Sequence, residues 1–202
     1  MKTETEQQQT DRDLVEKILG GNRHAFGILV KNTETLVAQM VFRMIPSPAD
    51  RKDIAQDVYL KVYKNLKGFK FKSKLSTWIG QITYNTCLHY LEKKRPYLLE
   101  DSGFANNEEE PLELLLQKQQ GDFNEIETQL LASELQTVLK TGISLLSPQY
   151  QALISLYHQE ELSMKEICEI TSLPEGTIKN YLFRARKQLK AHILAKYKGE
   201  EL

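Results

Sequence analysis

Cysteine is nearly absent from this chain of 202 residues. Cys87 and Cys168 are the only two, and both fall inside helical apolar patterns, so core thiols in a reducing compartment are expected rather than a disulfide framework. No apolar run exceeds a few residues, far below the roughly 18 that a membrane span needs. The opening residues, MKTETEQQQT, lack the apolar segment that follows the charged start of a secretory signal. A cytoplasmic protein without membrane insertion is therefore expected. Also missing are a nucleophile–base grouping, clustered metal ligands and a glycine-rich phosphate loop. The chain reads as a non-enzyme with no catalytic residue, no metal site and no cofactor.

What is present is a hydrophobic content of 41%, enough for real cores, and an uneven spread of charge. The net charge is zero, but residues 51–95 carry eleven Lys/Arg against three Asp/Glu, a net of +8. Residues 96–135 carry one against ten, a net of −9, and residues 176–198 carry seven against none. Two basic blocks thus flank an acidic one. Lys and Arg that follow a phosphate backbone release condensed counterions, so each basic block is a candidate nucleic-acid surface.

The apolar periodicity is helical throughout, with no internal repeat and no strand-type alternation. Phe26, Leu29, Val30, Leu36, Val37, Met40 and Met44 mark one helix, stopped by Pro46-Ser47-Pro48. A second helix from about Ala49 buries Ile54, Val58, Val62 and Leu66, and Gly68 closes it. The basic, aromatic loop FKFKSK at 69–74 leads into a third, with Leu75, Trp78, Ile79, Ile82, Leu88 and Leu91 turned inward. At that spacing Trp78 is expected in the core, while His89 has no companion ligands and is expected at the surface. After an acidic stretch, with a short helix expected at 112–116, helical spacing resumes at Ile126, Leu130, Leu131, Leu135 and Leu139. Ser147-Pro148 starts another helix as a cap followed by proline.

The most specific local signal is LSMKEICEITSLPEGTIKNYLFRARKQLKAHI, residues 162–193. Ser163 and Glu166 form a capping box for a short helix, and Thr171-Ser172-Leu173 makes a turn before Pro174 opens the next helix. Ile178, Leu182, Ala185, Leu189 and Ile193 pin that helix inward, leaving Thr177, Lys179, Asn180, Arg184, Arg186 and Lys187 outside. A short supporting helix, a tight turn and a recognition helix are the geometry that enters a major groove. Lys179 and Asn180 are candidates for base edges, Thr177 for a phosphate at the helix start, and Arg184, Arg186 and Lys187 for backbone.

Together these segments resemble an extracytoplasmic-function sigma factor, the small bacterial RNA polymerase specificity subunit. The likeness covers roughly residues 22–95 and 126–193. DRKDIAQDVYLKVYKNLKGF looks like the family's polymerase-docking helix, FKSKLSTWIGQITYNTCLHYLEKKR like its promoter-melting helix, and LSMKEICEITSLPEGTIKNYLFRARKQL like its C-terminal signature. The resemblance implies an all-α fold of two small helical domains, an N-terminal three- to four-helix region 2 domain and a C-terminal four-helix helix-turn-helix region 4 domain. The expected organisation is a flexible segment 1–21, region 2 at 22–95, an acidic linker at 96–125, region 4 at 126–196 and a tail at 197–202. It implies docking on bacterial core RNA polymerase through Asp53, Gln56, Asp57 and Lys61. For the −10 element it implies Phe69, Lys70, Phe71, Lys72, Lys74, Tyr84, Asn85, Lys93, Lys94 and Arg95, and for the −35 element Pro174, Glu175, Thr177, Lys179, Asn180, Arg184, Arg186 and Lys187. The implied partners are core polymerase, promoter DNA and an anti-sigma factor.

The chain departs from the family pattern with Ser172 at a turn position usually held by glycine, Cys168 for the customary alanine, and Gln149-Tyr150-Gln151 without the usual arginine. A polymerase-independent helix-turn-helix regulator is the alternative reading, which predicts tight duplex binding without core enzyme.

Overall fold

A computed structural model describes the backbone over residues 4–94 and 125–198 and the side chains over 9–94 and 135–195. Arg95, the expected linker up to residue 124, its expected short helix and the last four residues lie outside the described residues.

Every regular element among the described residues is helical. The helices are α1 (Glu4–Leu19), α2 (Arg23–Met44), α3 (Pro48–Asn65), α4 (Leu75–Lys94), α5 (Glu125–Ser144), α6 (Pro148–His158), α7 (Met164–Thr171) and α8 (Glu175–Lys198), with a 3₁₀ turn at Leu66–Gly68. Local chemistry sets the boundaries. Asn22 caps α2 by accepting the Ala25 N–H at 3.1 Å, and prolines open α3 and α6 at their first positions. Ser147 caps α6 through the Tyr150 N–H. The capping box of α7 is complete, with Glu166 Oε2 accepting the Ser163 N–H at 2.9 Å.

The start of the chain differs from the flexible segment expected. Residues 4–19 form a helix whose Val15 and Ile18 are buried, a short apolar stripe seated on α2. In the first domain α2, α3 and α4 pack around Leu29, Val37, Met40, Val58, Val62 and Ile79, all essentially inaccessible. Burying a side chain of this size contributes roughly 1.5–3 kcal/mol. In the second domain α5, α6, α7 and α8 surround Leu153, Leu156, Ile167, Ile178 and Ala185. The two domains share one apolar core: α6 lies on α2 and α7 on α4.

The N-terminus of α3 is tied to the far end of α4. Asp50 accepts hydrogen bonds from Tyr90 and, at 2.6 Å, from Lys94. The bonds from Lys94, Tyr90 and Ser47, in that order, hold the Asp50 carboxyl down at about 2, against an ordinary 3.8. A depressed carboxyl stabilises the fold above its unfolded value and loses that contribution as pH falls through its folded value. Stability should therefore drop between about pH 4 and pH 2. Thermal unfolding across that window should show the acid limb in the parent chain, weakened in Asp50→Asn.

Candidate nucleic-acid interface

Helix α8 divides cleanly. Ile178, Leu182, Ala185 and Leu189 are buried, while Glu175, Gly176, Lys179, Asn180, Phe183 and Lys187 are exposed. Spacings of three and four place the exposed set on one stripe. Pro174 precedes the helix, and its carbonyl accepts the Thr177 and Ile178 N–H groups. Within the stripe Lys179 pairs with Glu175 at 2.7 Å, one turn apart. Thr177, Arg184 and Arg186 sit half-buried at its flanks. Arg186 lies 3.2 Å from the His158 ring and over Tyr157. Phe183, 42% exposed, was missed from sequence. It stands one turn beyond Lys179 and offers a ring of the kind that meets a thymine methyl.

The turn before this helix carries strain. Ser172 takes φ 58° and ψ 21°, the left-handed conformation in which an L side chain costs roughly 1–2 kcal/mol. Its hydroxyl accepts a hydrogen bond from Gln81 at 3.3 Å, and its N–H donates to the Cys168 carbonyl. The serine thus keeps the geometry expected of glycine. Ser172→Gly should relieve the strain but add roughly 0.5–1 kcal/mol of chain entropy to the unfolded state. A net gain of about 0.5–1 kcal/mol in denaturant unfolding is expected, and Ser172→Val should lose stability instead.

On the first domain, Lys70, Lys72, Lys74, Asn85, Lys93 and Lys94 are exposed. Phe71 is half-buried. Phe69 and Tyr84 are not available as expected. Phe69 is 7% exposed and Tyr84 1%. Phe69 sits between Phe71 and Trp78, with ring centres 4.7 and 5.1 Å away, so it is a packing element of the loop. Burial, reinforced by Tyr181, pushes the Tyr84 hydroxyl up to about 12. Trp78 is half-buried and packs on the core, and His89 is exposed beside Glu92.

On α3, Asp53, Gln56 and Asp57 are exposed on the side opposite Ile54, Val58 and Val62. Lys61 is exposed too, but its Nζ donates to Thr86 on α4 at 3.1 Å, which turns it toward the α3–α4 seam. Two apolar groups missed from sequence join this face: Leu60 at 56% exposure and Tyr63 at 58%. Exposed apolar groups ringed by charges of both signs, Asp53 and Asp57 with Lys64, are a composition that suits protein docking.

The junction between the domains covers part of the basic surface. Lys74 donates to Glu166 at 2.8 Å, and Lys72, Ser73, Lys74 and Thr77 face Ser163, Lys165, Glu166 and Glu169 across a cavity of about 310 Å³. Burial alone would raise the Glu166 carboxyl, but hydrogen bonds from Lys74 and Ser163 outweigh it and leave it below its ordinary value. Carboxylates of the second domain therefore stand against lysines of the loop. The junction is tightest at Gly80, where an added Cβ would lie 3.0 Å from Ile170 Cδ1. Polar bonds from Ser155 to Gln39 and from Arg43 to Gln159 close the α2–α6 side.

Among the described residues no cluster of three His, Cys, Asp or Glu could hold a metal, and no helix is long and apolar enough to cross a membrane. Cys87 is fully buried on α4, which pushes its thiol up to about 12.

Sequence comparison matches residues 29–97 to sigma-70 region 2 and residues 137–189 to sigma-70 region 4. The chain is 32% identical over 193 residues to the ECF RNA polymerase sigma-E factor of Haemophilus influenzae, covering 93% of this chain and 97% of that protein. It is 31% identical over 188 residues to the corresponding factor of Escherichia coli, covering 91% and 94%. Among solved structures it resembles CnrH in complex with the cytosolic domain of CnrY, with TM-score 0.60, 19% identity and coverage of 92% and 97%. The sigma factor RpoE bound to the anti-sigma factor NepR from Bartonella quintana gives TM-score 0.58 and 19% identity, with coverage of 83% and 96%.

Proposed function

The chain belongs to the extracytoplasmic-function RNA polymerase sigma factors, and from that membership we propose how its surfaces divide the work. It is an alternative sigma factor that binds core RNA polymerase and directs transcription initiation, and it is not itself an enzyme. The mechanism is assembly. We assign core docking to the exposed face of α3, with Asp53, Gln56 and Asp57 as its polar rim and Leu60 and Tyr63 as its apolar centre. Lys61 steadies the α3–α4 seam beside it.

The −10 element falls to the loop 69–74 and α4. Lys70, Lys72 and Lys74 follow the backbone, Phe71 offers a ring to an unstacked base, and Asn85 bonds a base edge. Lys93, Lys94 and Arg95 guide the strand beyond the helix. Phe69 supports this unit from within. Tyr84 joins it only once the second domain has moved away. The −35 element falls to the stripe on α8, with Lys179, Asn180 and Glu175 at base edges, Phe183 against a methyl group, and Pro174, Thr177, Arg184, Arg186 and Lys187 along the backbone. An anti-sigma protein is the natural holding partner, since the sigma factor RpoE of the same fold was solved with the anti-sigma factor NepR.

The observation that carries this reading is the single polar stripe on α8, its opposite side sealed in the core. Transcription with core polymerase on a fragmented genomic library, with start sites mapped, tests it. A shared pair of upstream elements before the starts is expected. A chain that joins core polymerase yet selects no common sequence would overturn the assignments.

A further inference from the structure

Helix α1 touches the loop assigned to the −10 element at two points. Asp11 is buried, and its Oδ2 accepts the backbone N–H of Leu75 at 2.9 Å. Leu75 opens α4, where first-turn amides have no acceptor within their own helix. A carboxylate reaching in from 64 positions earlier in the chain supplies one and complements the helix dipole. One residue on, the Arg12 guanidinium lies 5.1 Å from the centre of the Phe71 ring. Phe71 lies against Phe69, and Phe69 against Trp78. A continuous series of flat groups thus runs from α1, through the loop, to α4.

The loop needs such support. Phe71 has φ 56°, the left-handed region that a bulky residue rarely enters unless its surroundings impose it. Asp11 anchors the end of the loop, and Arg12 covers the ring at its strained point.

We infer that α1 is part of the −10 reading unit, with Asp11 and Arg12 as positioning residues that hold loop 69–74 in the conformation that receives a displaced base. The inference rests on assigning that loop to the −10 element, and it extends the unit to residues that precede the matched region 2 segment, 29–97. A purely structural role for α1, through Val15 and Ile18, predicts no effect on base preference.

The test uses the full chain with core polymerase on a promoter mapped as above and on single-base variants of its −10 element. Arg12 is exposed, so Arg12→Ala leaves the fold intact. Arg12→Ala and Asp11→Ala should lower initiation at least ten-fold and compress the spread among −10 variants, with core affinity and −35 duplex affinity unchanged within two-fold. Asp11→Asn, whose amide oxygen still accepts the Leu75 N–H, should retain most activity. Variants that keep the parent's spread, or lose initiation equally on every −10 sequence, overturn the inference. If the parent chain itself starts nowhere, the −10 assignment beneath has failed, which is a separate result.

Discussion

Gly80→Leu should raise the affinity of the free protein for single-stranded −10 DNA by about ten- to a hundred-fold. The reasoning starts at the junction. A Cβ at position 80 would stand 3.0 and 3.1 Å from two Ile170 atoms, but at an ordinary 3.6 Å from Leu36 of its own domain. The strain of a leucine therefore falls on the contact between domains. Overpacking of this kind costs roughly 1–3 kcal/mol, and a ligand-competent state gains population by the corresponding factor. Separation releases Lys74 from Glu166 and uncovers Tyr84. Glu166→Gln should act in the same direction but weakly, because an ion pair whose lysine is 46% exposed is worth about 0–1 kcal/mol.

Geometry gives an independent reason for opening. Elements named −10 and −35 lie about 25 base pairs apart, on the order of 80 Å of duplex. A compact chain of this length has a radius of gyration of about 17 Å. The packed form cannot hold both elements at once. The thirty residues between Lys94 and Glu125 could span on the order of 100 Å when fully extended, so the sequence has the reach that the packed form lacks. Energy transfer between dyes on α3 and α5 should fall in Gly80→Leu and on binding core polymerase. An unchanged dye separation in a folded Gly80→Leu protein, with unchanged DNA affinity, would remove the junction from the mechanism.

What could be read from sequence was what neighbours in sequence decide. Ser147-Pro148, the Ser163–Glu166 box and the Ile178-to-Leu189 spacing are local signals, and each stands in the structure as a helix start or a buried stripe. Ile54, Val58 and Val62 follow the same logic. The departures come from partners distant in the chain. Helix α1 is polar and begins in ETEQQQT, so its seat on α2 makes Val15 and Ile18 core residues. Tyr84 has an amphipathic side chain suited to a DNA surface, and its burial beside Tyr181 depends on a domain about a hundred positions away. Phe183 interrupts a polar pattern, and only its exposure on the α8 stripe makes it a contact candidate. The turn at Ser172 shows the converse: its departure from glycine is legible in the sequence, but the hydroxyl's partner, Gln81, lies on the other domain.

Asn180→Ala and Lys187→Ala should fail in different ways. Both side chains lie on the exposed stripe of α8, but their chemistry differs. An asparagine amide sets an N–H donor beside a carbonyl acceptor in one plane, which pairs with adenine in the major groove and discriminates against the wrong base by roughly 1–3 kcal/mol. Its loss should flatten preference at one −35 position by about 5- to 150-fold and leave the salt dependence alone. A lysine ammonium has no directional fork. Removing Lys187 should weaken every duplex alike and reduce the slope of log affinity against log salt by about 0.9. Lys179 combines both behaviours, because binding must first exchange its pair with Glu175, in which both side chains are more than half exposed. Solvent screens that pair, so its release does not hide a base contact. Duplex binding by the second domain within the full chain, measured across −35 variants at several salt concentrations, separates the two signatures. If Asn180→Ala weakened all sequences equally and lowered the salt slope, the helix would be gripping backbone along its whole length, and base reading would have to reside elsewhere.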